Sequence, residues 1–295
     1  MSHHARSSIR HSNGDRPKDA CGVFGISLPP TAGPDSGTAE RPVAHLVFDG
    51  LYALQHRGQE SAGMAVSDGD TLTVVRDMGL VTNVFDERVL SGLPGHLAIG
   101  HTRYSTTGSS TWRNAQPVYR SAADVEFALG HNGNLINTAA LAARAGMLPG
   151  VLTTDSDLMA ELIAGELEAQ PPPGPGDDRG ELERALTTVL PSWEGAFSLV
   201  CMDSTHLFGV RDPQGFRPLC LGRLGDGWVL ASETPALDVV GATVVRELDP
   251  GEMVVIETAG AAGAVETAGA AGAAGAAGAA GAAGAAGAAG AAGAA

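Results

Sequence analysis

The chain has 295 residues, a formal net charge of −15 and no basic stripe, which argues against a nucleic-acid-binding surface. No apolar run reaches the roughly 20 residues that span a bilayer, and residues 1–20 lack the apolar stretch of a secretory signal. The 3 cysteines (Cys21, Cys201 and Cys220) give neither an even disulfide framework nor a CxxC pair, which points to a reducing, cytoplasmic setting.

Residues 1–20 are polar and read as a leader, and from Thr258 the chain is almost only Ala and Gly. The core-forming material is therefore 21–257, the size of one large domain or two small ones. "CGVFGISL" reads as a buried strand, followed by a Pro/Gly/Ser-rich loop over 29–41. Val43, Leu46, Val47, Leu51 and Leu54 recur at three- and four-residue steps, which predicts an amphipathic helix with Gly58 as its stop. "GMAVSDGDTLTVVRD" predicts two strands about an Asp-Gly turn. "HLAIGHTRYS" and "VEFALGHNG" are strands that each end in a polar cluster. "TTDSDLMAELIAGELEA" predicts a helix capped by Thr154 or Asp155, and "ELERALTTVL" a second one after a loop. "AFSLVCMD", "HLFGVRD", "GWVLASE", "ATVVREL" and "EMVVIE" read as short strands. Strands come in runs and helices in separate pairs, so antiparallel sheets with helices packed outside fit better than a parallel sheet. The tail 258–295 carries Gly without Pro in its triplets and no large side chain, which predicts disorder or a fraying helix.

Four clusters carry candidate chemistry: Cys21, "GHTRYSTTG", "GHNGNLIN" and "TTDSD". Each has a plain structural reading. Cys21 is a core thiol, "HNGN" a hairpin turn, "TTDSD" a cap, and Arg103 the partner of a surface acid. Together they read as one site. No His follows Cys21 in a cysteine-protease pattern, and His101 and His131 sit in other clusters. An N-terminal cysteine needs no His, because its own α-amine, with a pKa of about 7.7–8.0, takes the thiol proton. The Asn132 amide and Gly133 N–H suit an oxyanion, Arg103 a carboxylate, and Asp155 an ammonium. An α-carboxylate and an α-ammonium together describe an amino acid.

"CGVFGI", "LYALQHRGQESAG", "GHTRYSTTG", "HNGNL", "TTDSD" and "RDPQGFRPL" stand in the order found in the amidophosphoribosyltransferase family, which the chain resembles over about residues 20–257. "CGVFGI" and "HNG" alone indicate the wider class II glutamine amidotransferases; "LQHRGQESAG" and "RDPQGFRPL" narrow the likeness to the purine enzyme. The resemblance implies an α+β N-terminal nucleophile hydrolase fold, a four-layer αββα sandwich of two antiparallel sheets. It implies Cys21 as nucleophile after removal of 1–20, Asn132 and Gly133 as the oxyanion hole, Arg103 and Asp155 on the substrate's carboxylate and ammonium, and Thr106 close by. L-Glutamine would be hydrolysed to glutamate and ammonia through a thioester on Cys21. The family's phosphoribosyltransferase half, with its Mg²⁺ and in some members a 4Fe–4S cluster, has no counterpart here. The chain thus reads as a glutaminase half without cofactor or metal site, and the resemblance leaves a homo-oligomer open. The competing reading is a non-catalytic remnant or interaction module with Cys21 behind an uncut leader.

Overall fold

The computed structural model describes residues 21–30, 41–104, 111–147, 152–258 and 265–269. The leader, most of the 29–41 loop, Thr106 and most of the tail lie outside the described residues. In chain order the first half forms β1 (Gly22–Ser27), α1 (Val43–Ala53), β2 (Ser61–Ser67), β3 (Leu72–Met78), α2 (Val81–Val84), α3 (Glu87–Ser91), β4 (Leu97–Arg103), β5 (Val118–Ala122) and β6 (Val125–Leu135). The second half forms α4 (Thr138–Arg144), α5 (Asp155–Ala169), α6 (Glu181–Val189), β7 (Gly195–Met202), β8 (His206–Arg211), β9 (Cys220–Leu224), β10 (Gly227–Ala231), α7 (Thr234–Val240), β11 (Thr243–Glu247), β12 (Glu252–Glu257) and β13 (Val265–Gly269).

The strands make two antiparallel sheets, ordered β11-β9-β10-β1-β4-β2-β3 and β13-β12-β8-β7-β6-β5. Three apolar layers hold them. Phe24 and Ile26 of β1 face α1 and α7 with Val47, Leu51 and Leu237. Phe127, Leu129 and Phe197 face α5 and α6 with Met159, Ile163 and Leu186. Between the sheets lie Val23, Ile99, Ala128, Val200 and Leu230. Period-two alternation thus sends one face of each strand to helices and the other to the opposite sheet, and β1 is buried along its whole length. This is the four-layer αββα sandwich that the family resemblance implies, and it fits the antiparallel sheets with outer helices that the sequence pattern predicts.

The structure alters several local expectations. "HNG" is not a turn: β6 runs straight through it to Leu135. Gly58 does not cap α1, which ends at Leu54. A Cβ on Gly58 would lie 2.6 Å from the Thr102 carbonyl, so close backbone approach is its constraint. The tail includes a strand: β13 pairs with β12 in antiparallel register. Thr258 belongs to the domain, since its N–H and hydroxyl both donate to the Thr205 carbonyl.

Candidate active site

Strand parity assembles the site. Val23 and Ile99 face the space between the sheets, so Cys21 and Arg103, two and four residues along, project into the same space. The register Gly22↔Thr102 sets Cys21 beside Arg103 at the ends of β1 and β4. On the opposite sheet Ala128 faces inward, which directs Asn132 towards the same gap. Asp155 opens α5, whose N-cap is Thr154, with the Thr154 side chain accepting from the Asp157 N–H at 3.2 Å.

Cys21 is half-buried, and its Sγ donates to the Tyr104 carbonyl at 3.5 Å. Desolvation pushes its thiol pKa up; the Tyr104 backbone and the Arg103 guanidinium pull it down, and the Asp155 carboxylate pushes it up. Cys21, Arg103 and Asp155 thus share one electrostatic neighbourhood. Residues that the sequence reading did not single out hold the cysteine. Arg57 Nε donates to the Cys21 carbonyl at 3.1 Å and its guanidinium pairs with Glu233. Glu233 also takes His56 Nε2 at 2.9 Å. The next link, Val23 N–H, donates to the Ser232 hydroxyl at 3.0 Å. "LQHRGQ" was legible only as a family block, and its partner Glu233 lies 176 residues from Arg57.

Arg103 is buried and faces Glu60 across 3.4 Å, with Glu60 N–H donating to the Arg103 carbonyl at 3.0 Å. The pair with Glu60 is what the plain reading of Arg103 expects, although the arginine itself is buried. Asp155 accepts from Leu135 N–H at 3.1 Å and Ser156 N–H at 3.0 Å, with His131 Nδ1 at 3.7 Å. The helix start favours its negative charge.

Neither histidine serves Cys21. His101 Nε2 donates across the sheets to the His131 carbonyl at 2.9 Å. Burial pushes its pKa down to about 3. Burial likewise holds the His131 pKa down, and its Nδ1 meets the Ser156 hydroxyl at 3.0 Å. Both rings are neutral at working pH and engaged elsewhere.

Asn132 is wholly buried, and among the described residues neither its Oδ1 nor its Nδ2 has a hydrogen-bond partner. Such an orphaned amide costs about 1–3 kcal/mol. Gly133 sits at φ 140, and a Cβ there would lie 2.0 Å from the Ala196 carbonyl oxygen, so only glycine fits. Opposite it, Phe197 engages Asp212 with both backbone groups: its N–H donates to Oδ2 at 3.2 Å and its carbonyl accepts the Asp212 N–H at 2.8 Å. In an antiparallel ladder this turns the Gly133 N–H away from β7. Asp212, buried in "RDPQGFRPL", also accepts from the N–H groups of Gln214, Phe216 and Arg217. Cys201 and Cys220 are buried strand thiols, both with pKa raised by desolvation. Among the described residues no group of three or more His, Cys, Asp or Glu side chains could hold a metal. No described helix is long and apolar enough to cross a membrane.

The family described as a glutamine amidotransferase domain matches residues 101–239. The chain is 52% identical over 252 residues to the amidophosphoribosyltransferase of Mycobacterium tuberculosis, covering 83% of this chain and 44% of that protein. The domain is a glutamine amidotransferase domain of the amidophosphoribosyltransferase type. The Bacillus subtilis amidophosphoribosyltransferase is 39% identical over 243 residues, 82% of this chain and 47% of its own length. The solved glutamine phosphoribosylpyrophosphate amidotransferase from B. subtilis, complexed with ADP and GMP, superposes with a TM-score of 0.69 at 35% identity, covering 85% of this chain and 49% of that one. A solved structure described as the allosteric regulatory enzyme of purine biosynthesis gives the same TM-score, 0.69, at 36% identity, covering 85% of this chain and 49% of its own. The chain spans less than half the length of these amidotransferases.

Proposed function

We propose that this domain hydrolyses L-glutamine to glutamate and ammonia with Cys21 as nucleophile, and that it does so as the glutaminase part of purine biosynthesis. The observation that carries the reading is the orphaned, fully buried Asn132 amide, on a strand face shared with the gap that Cys21 enters. A polar group kept unpaired in a dry site is explained by a ligand that pairs with it.

The chemistry follows from the residues. Cleavage of the Ala20–Cys21 bond frees an α-amine, which takes the thiol proton because both histidines are neutral and engaged. The thiolate attacks the glutamine δ-carbon. The carbonyl oxygen becomes an oxyanion held by Asn132 Nδ2 and the Gly133 N–H. Collapse breaks the C–N bond; the α-ammonium returns its proton to the leaving nitrogen, releasing ammonia and a thioester. Water, deprotonated by the α-amine, then frees glutamate and the thiol. Arg103 binds the α-carboxylate and Asp155 the α-ammonium; the family resemblance adds Thr106, which is outside the described residues, as a substrate-binding residue. A simple amide brings neither an α-carboxylate for Arg103 nor an α-ammonium for Asp155, so simple amides should be poor substrates.

The acceptor of the ammonia is proposed by likeness to the amidophosphoribosyltransferases: phosphoribosylpyrophosphate, turned over on a second domain that carries its own Mg²⁺. Intact mass of the purified protein combined with a glutaminase assay tests the reading. A chain beginning at Cys21 that releases glutamate supports it. An uncut chain without turnover supports the non-catalytic remnant instead.

A further inference from the structure

The sequence reading assigned nothing to Gln116, yet it lies at the junction of the network behind Asn132. β5 pairs with β6 only as far as Val118↔Leu129. Beyond that point the chain turns through Gln116–Pro117, and among the described residues β6 continues without a paired strand on that side. His131, two residues on, points its N–H the same way as Leu129. The Gln116 side chain takes the place of the missing strand: its Oε1 accepts the His131 N–H at 2.7 Å. Its Nε2 donates to the Ser156 hydroxyl at 3.1 Å, and that hydroxyl lies 3.0 Å from His131 Nδ1. Arg76 holds the segment on both sides, donating to the Ala115 and Pro117 carbonyls at 2.7 Å each.

Counting protons fixes the Gln116 end of the relay and leaves Ser156 one proton to place. The His131 N–H can only donate, so Oε1 must face it and the amide orientation is determined. Nε2 then donates to Ser156 Oγ. Where the Ser156 proton goes to its other neighbour, His131 Nδ1, that nitrogen is bare and the ring proton sits on Nε2, which is buried without a partner among the described residues. Asp155 Oδ1 at 3.7 Å from Nδ1 agrees, because two acceptors do not close to hydrogen-bond distance. The peptide before His131 is held by Gln116, and the peptide after it by His101 through the His131 carbonyl. Both lie directly upstream of the Asn132 side chain.

We propose that Gln116 is a positioning residue for the oxyanion donors: its amide fixes the His131 backbone and ring tautomer, and through them the aim of Asn132. The kinetic consequence rests on the glutaminase reading above; the tautomer does not. Gln116 touches no substrate, so its loss acts on the transition state rather than on binding of the amino-acid head.

The test uses the full chain and two variants. In Gln116→Glu the carboxylate still accepts the His131 N–H but cannot donate. Ser156 then donates to the carboxylate and accepts from His131, which moves the ring proton to Nδ1. Ring ¹⁵N shifts should show His131 bare at Nδ1 in the parent and bare at Nε2 in the variant. In Gln116→Leu, kcat should fall about tenfold or more, less than the about 10²- to 10³-fold loss for a donor itself. KM for glutamine and the inhibition constant of glutamate should stay within about twofold. An unchanged ring pattern in Gln116→Glu overturns the relay. Intact kcat in Gln116→Leu, or kcat, KM and glutamate inhibition failing together, overturns the positioning role. Absence of glutamine turnover in the parent chain would sink the glutaminase reading instead, while the ring nitrogens still decide the relay.

Discussion

Replacing Asn132 by leucine should stabilise the fold and disable the chemistry. Asn132 is fully buried and both polar atoms of its side chain lack partners among the described residues. Leucine has nearly the same shape and no polar atoms to desolvate. Removing an unsatisfied buried amide of this kind recovers about 1–2 kcal/mol. For a domain of this size that raises Tm by about 2–8 °C. The same change removes the side-chain donor for the oxyanion, and the loss of one such donor costs about 10²- to 10³-fold in kcat. Thermal unfolding and steady-state glutaminase assays, run on the same preparations, measure both quantities. A variant that melts lower than the parent while turning over glutamine normally would refute the reasoning, because it would make Asn132 a structural residue and not a donor held ready.

Other changes separate the roles of the remaining groups. Cys21→Ser should fold as the parent does but lose labelling by a glutamine-like electrophile; labelling that persists at Cys201, whose thiol is buried and shifted up, would count against Cys21. Arg103→Ala should raise the KM for glutamine with little change in kcat, since substrate and transition state both keep the carboxylate contact; a pure kcat loss contradicts that role. Asp212→Asn turns an NH₂ group towards backbone N–H donors that now share one carboxylate, and should cost about 3 kcal/mol or more in denaturant unfolding. His101 makes stability depend on pH. Its folded pKa of about 3 lies below the unfolded value of about 6.5, so the unfolded chain takes up the proton first. The contribution is complete above about pH 6.5 and is lost as pH falls towards 3, at about 1.4 kcal/mol per unit. Between pH 7 and 5 that amounts to about 2 kcal/mol, which His101→Gln should remove from the unfolding curve.

The layers were legible because period-two and helical spacing report burial directly. Val43 to Leu54 gave α1, and Thr154 gave the start of α5 with its cap bond. "HNGN" misled as a turn because Asn-Gly is the usual hairpin pair; here Gly133 takes a positive φ inside a strand to pass the Ala196 carbonyl. β5 and β9 were missed, as neither "VYRSA" nor "CLGRL" alternates cleanly. α7 was missed despite readable punctuation, a Pro in its first turn and Gly241 in the left-handed conformation at its end. Among site residues, those that carry charge or a thiol stood out one by one. Gln116, Ser232, Glu233 and Asp212 did not, because their work is done through partners such as His131, Val23, Arg57 and Phe197. The separations run from 15 residues for Gln116–His131 and Asp212–Phe197 to 176 for Arg57–Glu233 and 209 for Val23–Ser232, and an ordinary Gln or Ser has no local pattern that marks it.

Among the described residues, the contacts that hold Cys21 lie on one side of it. Arg57 grips its carbonyl, Ser232 the N–H of Val23 two residues on, and the Tyr104 carbonyl its sulfur; none of these uses the bond that joins it to Ala20. The residue therefore keeps its seat whether its nitrogen is an amide or an amine. On the proposed glutaminase reading, assembly of the pocket and birth of the base become separate events, and the second can be timed without rebuilding the first. A chain built this way is finished in shape before it is armed.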